Sequence, residues 1–397
     1  MRYPLASSTW DDLEIEALNS VAQSGRYTMG PRTQEFEKRF ADYFGARYAV
    51  MVNSGSSANL LAVAALRYRS DRPLKAGDEV IVPAVSWGTT YYPLHQYGFK
   101  LRFVDVDIDT LNLDPDAAED AITPQTRAIF AVNILGAPND FNRLSDLCAK
   151  HDLILLEDNC ESMGATYEGK HTGTFGVCGT FSMFFSHHIC TMEGGMVLTD
   201  DEELCQIVTS LRAHGWTREL PQQNRVHNKD GDTFREMYRF VLPGYNVRPL
   251  EVSAAVGIHQ LDKLAGLLSA RRKNAARFVE LFGNQGCVRI QKPVGDSSWF
   301  GFSLILEGAL KGQRDSVVRR LTDAGVECRP IVAGDFTKNP VIRYFDYEIH
   351  GELRNAEAVD KDGLFVGNHH YDISAELSGL KELLDSCAYG RPKRSAA

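Results

Sequence analysis

An α/β fold, with a large domain on a mostly parallel sheet and a smaller C-terminal α+β domain, is predicted from three observations. From about residue 30 to 260, short apolar runs rich in β-branched residues alternate with longer helical stretches. That alternation belongs to a parallel sheet covered on both faces by helices. Near residue 260 it stops at one long run, HQLDKLAGLLSARRKNAARFVELF, whose apolar residues recur at three and four, the period of an amphipathic helix. Beyond that run the segments are shorter and mixed. The expected division is therefore 1–260 for the large domain and 261–397 for the small one. About the first 25 residues are left to pack on the small domain.

Taken in order, YAVMV (Tyr48–Val52) reads as the first strand, followed by a Ser/Gly turn and a helix over ANLLAVAALRY. DEVIVP (Asp78–Pro83), KLRFVDVD (Lys100–Asp107), RAIFAVNI (Arg127–Ile134) and DLILLED (Asp152–Asp158) read as further strands, short apolar runs separated by helical stretches. FSMFFS and GGMVLTD complete the set. After the long helix come the strand-like WFGFSLILE, a helical GQRDSVVRRLTDAG and the short VECRPIV. No internal repeat, low-complexity tract or long linker interrupts this order.

Composition narrows the function. At 397 residues, 44% hydrophobic and 24% charged, the chain has the make-up of an ordinary globular protein. No apolar run approaches the ~20 residues that span a bilayer. The opening MRYPLASSTWDDLE turns acidic with no apolar core, unlike a secretory signal, so a cytoplasmic location is expected. A net charge of −9 with no basic stripe argues against nucleic-acid binding, and the RPKR of Arg391–Arg394 reads as a solvated tail. None of the eight cysteines forms C-x-C or C-x-x-C, so neither zinc nor an iron–sulfur cluster has its usual spacing, and no metal is expected. No G-x-G-x-x-G follows the first strand and no G-x-x-x-x-G-K-[ST] occurs.

Four local patterns remain. NSGSSAN (Asn53–Asn59) lies between strand and helix, where small residues leave backbone N–H groups free for a phosphate; taken alone it is more simply a plain N-cap. EDNCES (Glu157–Ser162) puts Asp158 at the C-terminal end of an apolar strand, the edge where open α/β sheets bind ligands. A carboxylate there suits a protonated ring nitrogen or caps the next turn. In PAVSWGTTYY, Trp87 follows another strand end, positioned either to stack on a planar ligand or to fill core. FSMFFSHHICTMEGG sets His187 and His188 between an apolar run and a glycine pair, and each taken alone is most simply a packed histidine.

Together and in this order, the four patterns resemble the fold-type I PLP-dependent enzymes. Within those, the chain is similar over nearly its whole length to the sugar aminotransferase family acting on nucleotide-linked keto-sugars. GRYTMGPRTQEFEKRFADYFG and PGYNVRPLEVSAAVG carry the likeness outside the site. In that family a serine is followed five residues on by the Schiff-base lysine, then by an acidic residue and GG. Here Ser182 is the serine, Glu193-Gly194-Gly195 the end, and His187 stands in the lysine's place. An imidazole cannot form the covalent link a lysine amine makes, so PLP or its pyridoxamine form, PMP, is expected to be held without a covalent bond. The local form SHH-I-x-TMEGG, with YPLASSTWDD, VPAVSWGTTYYPL, LLEDNCESMGAT, RAHGWTR, LPGYNVRPLE and FVGNHH, resembles the 3-dehydratase branch. CDP-linked 3-dehydrases also carry a histidine here but add an iron–sulfur cluster on a C-x-C pair, which this chain lacks.

The resemblance implies a substrate, a GDP-linked 4-keto-6-deoxy sugar, and L-glutamate as amino donor. It implies His187 as general base and Asp158 as partner of the cofactor's ring nitrogen. Gly55, Ser56 and Ser182 are implied at the phosphate, Trp87 over the ring, and Glu161 near the ring hydroxyl. Asn246 would reach the phosphate of the other subunit's cofactor, making the active unit a homodimer, and His214 and Arg329 are candidate substrate contacts. His188 is expected to be a packed neighbour. Two alternatives stand beside this: a perosamine-type 4-aminotransferase tolerating histidine, and a silent PLP-fold scaffold. A NAD-dependent oxidoreductase lacks its glycine fingerprint.

Overall fold

Eight strands form the central sheet, in the order Tyr48–Val52, Gly195–Thr199, Cys178–Ser182, Ile154–Asp158, Thr126–Val132, Glu79–Pro83, Lys100–Val104 and Tyr347–Ile349. Only Gly195–Thr199 pairs antiparallel with its neighbours; the other pairings are parallel. The computed structural model describes residues 2–390, and the Arg391–Arg394 cluster lies outside the described residues.

Near-continuous apolar strands fit a sheet buried on both sides, because successive side chains point to opposite faces. Val80 and Val82 join one core layer with Leu61 and Leu94, while Ile81 between them joins the layer of Phe141 and Leu144. Phe130 and its neighbours Ile129 and Ala131 divide the same way. A third core packs Phe36, Phe40 and Phe44 of helix Pro31–Phe44 against Phe181, Met196 and Leu261.

The long helix runs as one element, Glu251–Phe282. Its first half packs into the large unit through Ala254, Ile258 and Leu264, and its second half enters the smaller core through Ala275, Phe278 and Phe282. It thus ties the two units together. The smaller sheet is antiparallel, in the order Val288–Arg289, Gly301–Leu306, Gly363–Gly367, Cys328–Arg329. Between its last two strands the chain crosses back. Phe336 packs on Tyr91, the rings tilted with centroids 4.3 Å apart, and Tyr347–Ile349 adds an edge strand beside Lys100–Val104. Residues 261–390 are therefore not one continuous packing unit.

The N-terminus divides similarly. Tyr3 is fully buried in the smaller core, bridges to Val326, and donates its hydroxyl to Gly367 O at 2.6 Å. Helix Asp12–Ser24 instead packs Ala17 and Val21 on Ala255 and Val256 of the long helix.

One strand differs from its sequence reading. The run FSMFFS is not a strand throughout: the strand spans Cys178–Ser182, in register with Ile154–Asp158 through Asp158 and Thr180. That register ends it at Ser182, after which the chain turns, with His187 N–H donating to Phe184 O at 2.9 Å. Phe184 and Phe185 are exposed as a result.

Candidate active site

Val52, Pro83, Val132, Asp158 and Ser182 all end parallel strands. Parallel strands deliver their C-terminal ends, and the loops that follow, to one edge of a sheet. There the loops surround a cavity of about 630 Å³. Of the residues singled out in the sequence, Gly55, Ser56, Trp87, Asp158, Glu161, Ser182, His187 and Arg329 line it. Asn246 and His214 do not: Asn246 accepts from Arg248 Nε at 3.0 Å, and the His214 ring lies 5.1 Å from that of Trp216.

Helix Gly55–Tyr68 opens on this cavity. Ser54 caps it, its hydroxyl accepting from Ser57 N–H at 3.1 Å, and the amides of a first turn have no acceptor within the helix. The helix dipole adds positive potential at the same end. Gly55 is required by close approach, since a Cβ there would lie 2.5 Å from Ser182 Cβ. The result is an open cradle walled by the hydroxyls of Ser56 and Ser182, and its donor set fits a phosphate.

Asp158 forms the next feature. It is 5% exposed, yet it lines the cavity and has no cationic partner among the described residues. Its Oδ2 accepts from Asn59 Nδ2 at 2.7 Å and from the Thr90 hydroxyl at 2.8 Å, while its Oδ1 accepts from Cys160 N–H at 3.1 Å. Thr180 donates to Asn59 Oδ1 at 2.6 Å, which orients the amide. With the Thr90 proton given to Asp158, Ser86 must donate in the 2.8 Å contact between their hydroxyls. A buried carboxylate so fixed and without a counter-charge suits a cationic ring N–H.

Trp87, the residue before helix Gly88–Gln96, exposes 61% of its surface, much for a tryptophan, and lines the cavity with its flat ring. Glu161 accepts from Leu135 N–H at 3.0 Å, and burial, reinforced by the nearby Asp158 charge, pushes its carboxyl up to about 7. Leu135 sits at φ 50 beside Gly136 at φ 97, and a Cβ on Gly136 would meet Trp299 N at 2.4 Å. This close approach brings Phe300 to the cavity, where its ring meets that of His187 edge-on at 5.1 Å.

His187 faces the cavity, whereas His188 is fully buried, its Nε2 3.1 Å from Ser298 O. The buried Nδ1 of His187 has no hydrogen-bond partner. Burial first, and then the positive charge of Arg271, lower its imidazole to about 4, so it is neutral near pH 7. No lysine lines the cavity among the described residues.

Sequence reasoning missed Leu5, Phe184 and Phe300 on the walls, and Asn59 and Thr90 as the partners of Asp158. The last two lay inside NSGSSAN and PAVSWGTTYY, so the motifs held the signal but not the pairing.

Fold and site together define a protein of the PLP-dependent, aminotransferase-like class. A model of the DegT/DnrJ/EryC1/StrS aminotransferase family matches residues 9–376, and the chain belongs to that family. It is 54% identical, over 97% of its length and all of the relative's, to GDP-4-keto-6-deoxy-D-mannose 3-dehydratase of Escherichia coli O55:H7. It superposes with a TM-score of 0.95 and 54% identity on a structure of GDP-4-keto-6-deoxymannose-3-dehydratase with a trapped PLP-glutamate geminal diamine, covering 96% of this chain and 100% of that one. A double variant of that dehydratase, ColD, with a neighbouring serine and histidine replaced by asparagine and lysine, matches at a TM-score of 0.93 and 54% identity, over 95% of this chain and 100% of that one.

Proposed function

We propose that the protein removes the 3-hydroxyl of GDP-4-keto-6-deoxy-D-mannose, giving GDP-4-keto-3,6-dideoxy-D-mannose, with L-glutamate as the amino donor. The observation that carries this is His187: an imidazole open to the cavity, unpartnered at Nδ1, in a cavity lined by no lysine among the described residues. The only Ser-His dipeptide of the chain is Ser186–His187, which matches the serine and histidine pair exchanged in the ColD variant and favours His187 over His188.

When bound, pyridoxamine phosphate supplies an amine that condenses with the sugar's keto group and a ring that takes up electrons. Gly55, Ser56 and Ser182 hold its phosphate at the helix end, and Trp87 covers its ring. Asp158, fixed by three hydrogen bonds, keeps the proton on the ring nitrogen. His187, neutral at rest, accepts a proton and returns one to the oxygen leaving the sugar. A lowered pKa makes its protonated form a stronger acid, which helps the hydroxyl depart. Overall the sugar loses one oxygen, and glutamate leaves as 2-oxoglutarate and ammonia.

Asn246 lies outside its own subunit's cavity, in keeping with a homodimer in which it reaches the partner's phosphate; sedimentation of the loaded protein at dimer mass checks this. Arg329 contacts substrate from the cavity wall, whereas His214, the other candidate substrate contact, does not line this cavity. The reaction belongs to colitose-type dideoxysugar synthesis for O-antigen, in the cytoplasm where glutamate and GDP-sugars are supplied.

Incubation of wild type and His187→Lys with GDP-4-keto-6-deoxymannose, PLP and L-glutamate tests the proposal. The expected result is ammonia plus a product lacking one oxygen from wild type, and neither from the variant. A 4-amino sugar from wild type would replace the reading with the aminotransferase one. No turnover with an intact cofactor site would favour the scaffold.

A further inference from the structure

Because His187 makes no covalent link and no hydrogen bond at Nδ1, its place depends on the loop that carries it. That loop, between the strands Cys178–Ser182 and Gly195–Thr199, closes on itself through three backbone bonds: Met183 N–H to Gly194 O, His187 N–H to Phe184 O and Thr191 N–H to Met183 O, each at 2.9 Å. Three residues beyond His187, both backbone polar atoms of Cys190 are gripped from outside. Its carbonyl accepts from Trp10 Nε1 at 2.9 Å, and its N–H donates to Gln260 Oε1 at 3.0 Å.

Gln260 is fully buried on the long helix and uses its whole amide. Oε1 also accepts from the Thr9 hydroxyl at 2.5 Å, and Nε2 donates to Thr9 O at 3.2 Å and to Glu14 Oε1 at 2.7 Å. Glu14 in turn closes the capping box of helix Asp12–Ser24, accepting from Asp11 N–H at 2.8 Å, and takes Lys263 Nζ at 2.7 Å. The segment leading into this network is anchored as well: Tyr3 is buried in the smaller core, and Leu5 N–H donates to Glu327 Oε2 at 3.1 Å. Leu5 itself lines the cavity. A strap from the N-terminus thus crosses from the smaller sheet, past the cavity, to the back of the His187 loop.

We propose that Trp10 and Gln260 are positioning residues for His187, gripping Cys190 from the N-terminal strap and the long helix so that the untethered base keeps its place. This rests on the reading of His187 as the base. Neither residue lines the cavity, so neither is offered as a substrate contact.

The test uses the full-length, PLP-loaded protein and two variants, Trp10→Phe and Gln260→Ala. Trp10→Phe keeps an aromatic ring and deletes one donor, so it is the variant that keeps the fold. Amide hydrogen exchange is read at Cys190 and Thr191, with helix Gly55–Tyr68 as internal control. Exchange at both amides is expected to rise about tenfold in each variant, as for loss of one hydrogen bond guarding a local opening, with the control unchanged. In the dehydratase assay kcat is expected to fall about tenfold or more, with KM for the sugar within about twofold. Unchanged exchange in Trp10→Phe overturns the proposal. So does faster exchange with wild-type kcat, or a raised KM at constant kcat. If wild type itself does not dehydrate the sugar, the proposed function fails, and the exchange arm still decides whether the clamp holds the loop.

Discussion

Within one cavity, Asp158 accepts three hydrogen bonds from Asn59, Thr90 and Cys160, whereas the Nδ1 of His187 has no partner at all. Both groups sit among buried surroundings where an unmet polar atom costs about 1–3 kcal/mol, so the difference needs a reason. In the proposed reaction Asp158 has a static duty, to stay in place beside the ring, and each bond it accepts serves that end. In the proposed reaction His187 gains and loses a proton within each turnover, and a fixed partner would lock its tautomer. The contrast teaches that the binding side of the cavity is organised before any ligand arrives. The reacting side is held through backbone and aromatic packing, by Phe300 and the Cys190 clamp.

On the binding side the largest expected break is at Asp158. Asp158→Asn removes the charge while keeping the shape, and should lower kcat about 10²–10³-fold, the scale for deleting one preorganised electrostatic contact. Steady-state rates with the sugar at saturation check it. A smaller effect is expected from Thr90→Val, which deletes one charge-assisted bond of about 1.5–3 kcal/mol, so that PLP affinity in an absorbance titration drops roughly ten- to a hundredfold. Wild-type affinity in that variant would mean that the carboxylate does not depend on its partners.

The subtlest effect is on pH. Burial lowers the folded pKa of His187 to about 4, against about 6.5 for an unperturbed imidazole. Its neutral burial therefore adds stability that is complete above about pH 6.5 and is lost as pH falls toward 4. Glu161, pushed up to about 7, acts in the opposite sense, since the folded state favours its protonated form. The comparison is thus a signed difference: between pH 4 and 6.5 the Tm of wild type should gain more, or lose less, with rising pH than that of His187→Asn. Equal slopes would mean that His187 is not buried in its neutral form.

How much of this was legible in the sequence follows from how local each feature is. Asp158 and the Gly55–Ser56 turn stand out as candidates, because a strand end or a strand-to-helix turn is written within a few adjacent residues, whereas Ser182 is reached only through the resemblance. His187 was legible through the resemblance, by its count from Ser182 and from the glycine pair. The partners of Asp158 were not, since Asn59 and Thr90 lie 99 and 68 residues away and only the sheet brings them together. Leu5 and Phe300 reach the cavity from the N-terminal strap and the smaller sheet, and nothing in their own surroundings announces it. Phe184 and Phe185 were assigned to a strand because an apolar run reads the same whether it fills a core or borders a cavity. Tyr347–Ile349, three exposed residues, is too short to signal that it would return to the large sheet.

The most direct measurement sets His187→Asn beside Asp158→Asn, recording PLP affinity by absorbance and the single-turnover rate of the glutamate half-reaction for each. The division of duties predicts that His187→Asn binds PLP about as tightly as wild type yet loses about 10³-fold or more in rate, within reach of a general base's contribution. Asp158→Asn should weaken both. If His187→Asn instead loses the cofactor while keeping its rate once saturated, the histidine is a binding group and the assignment of roles is wrong.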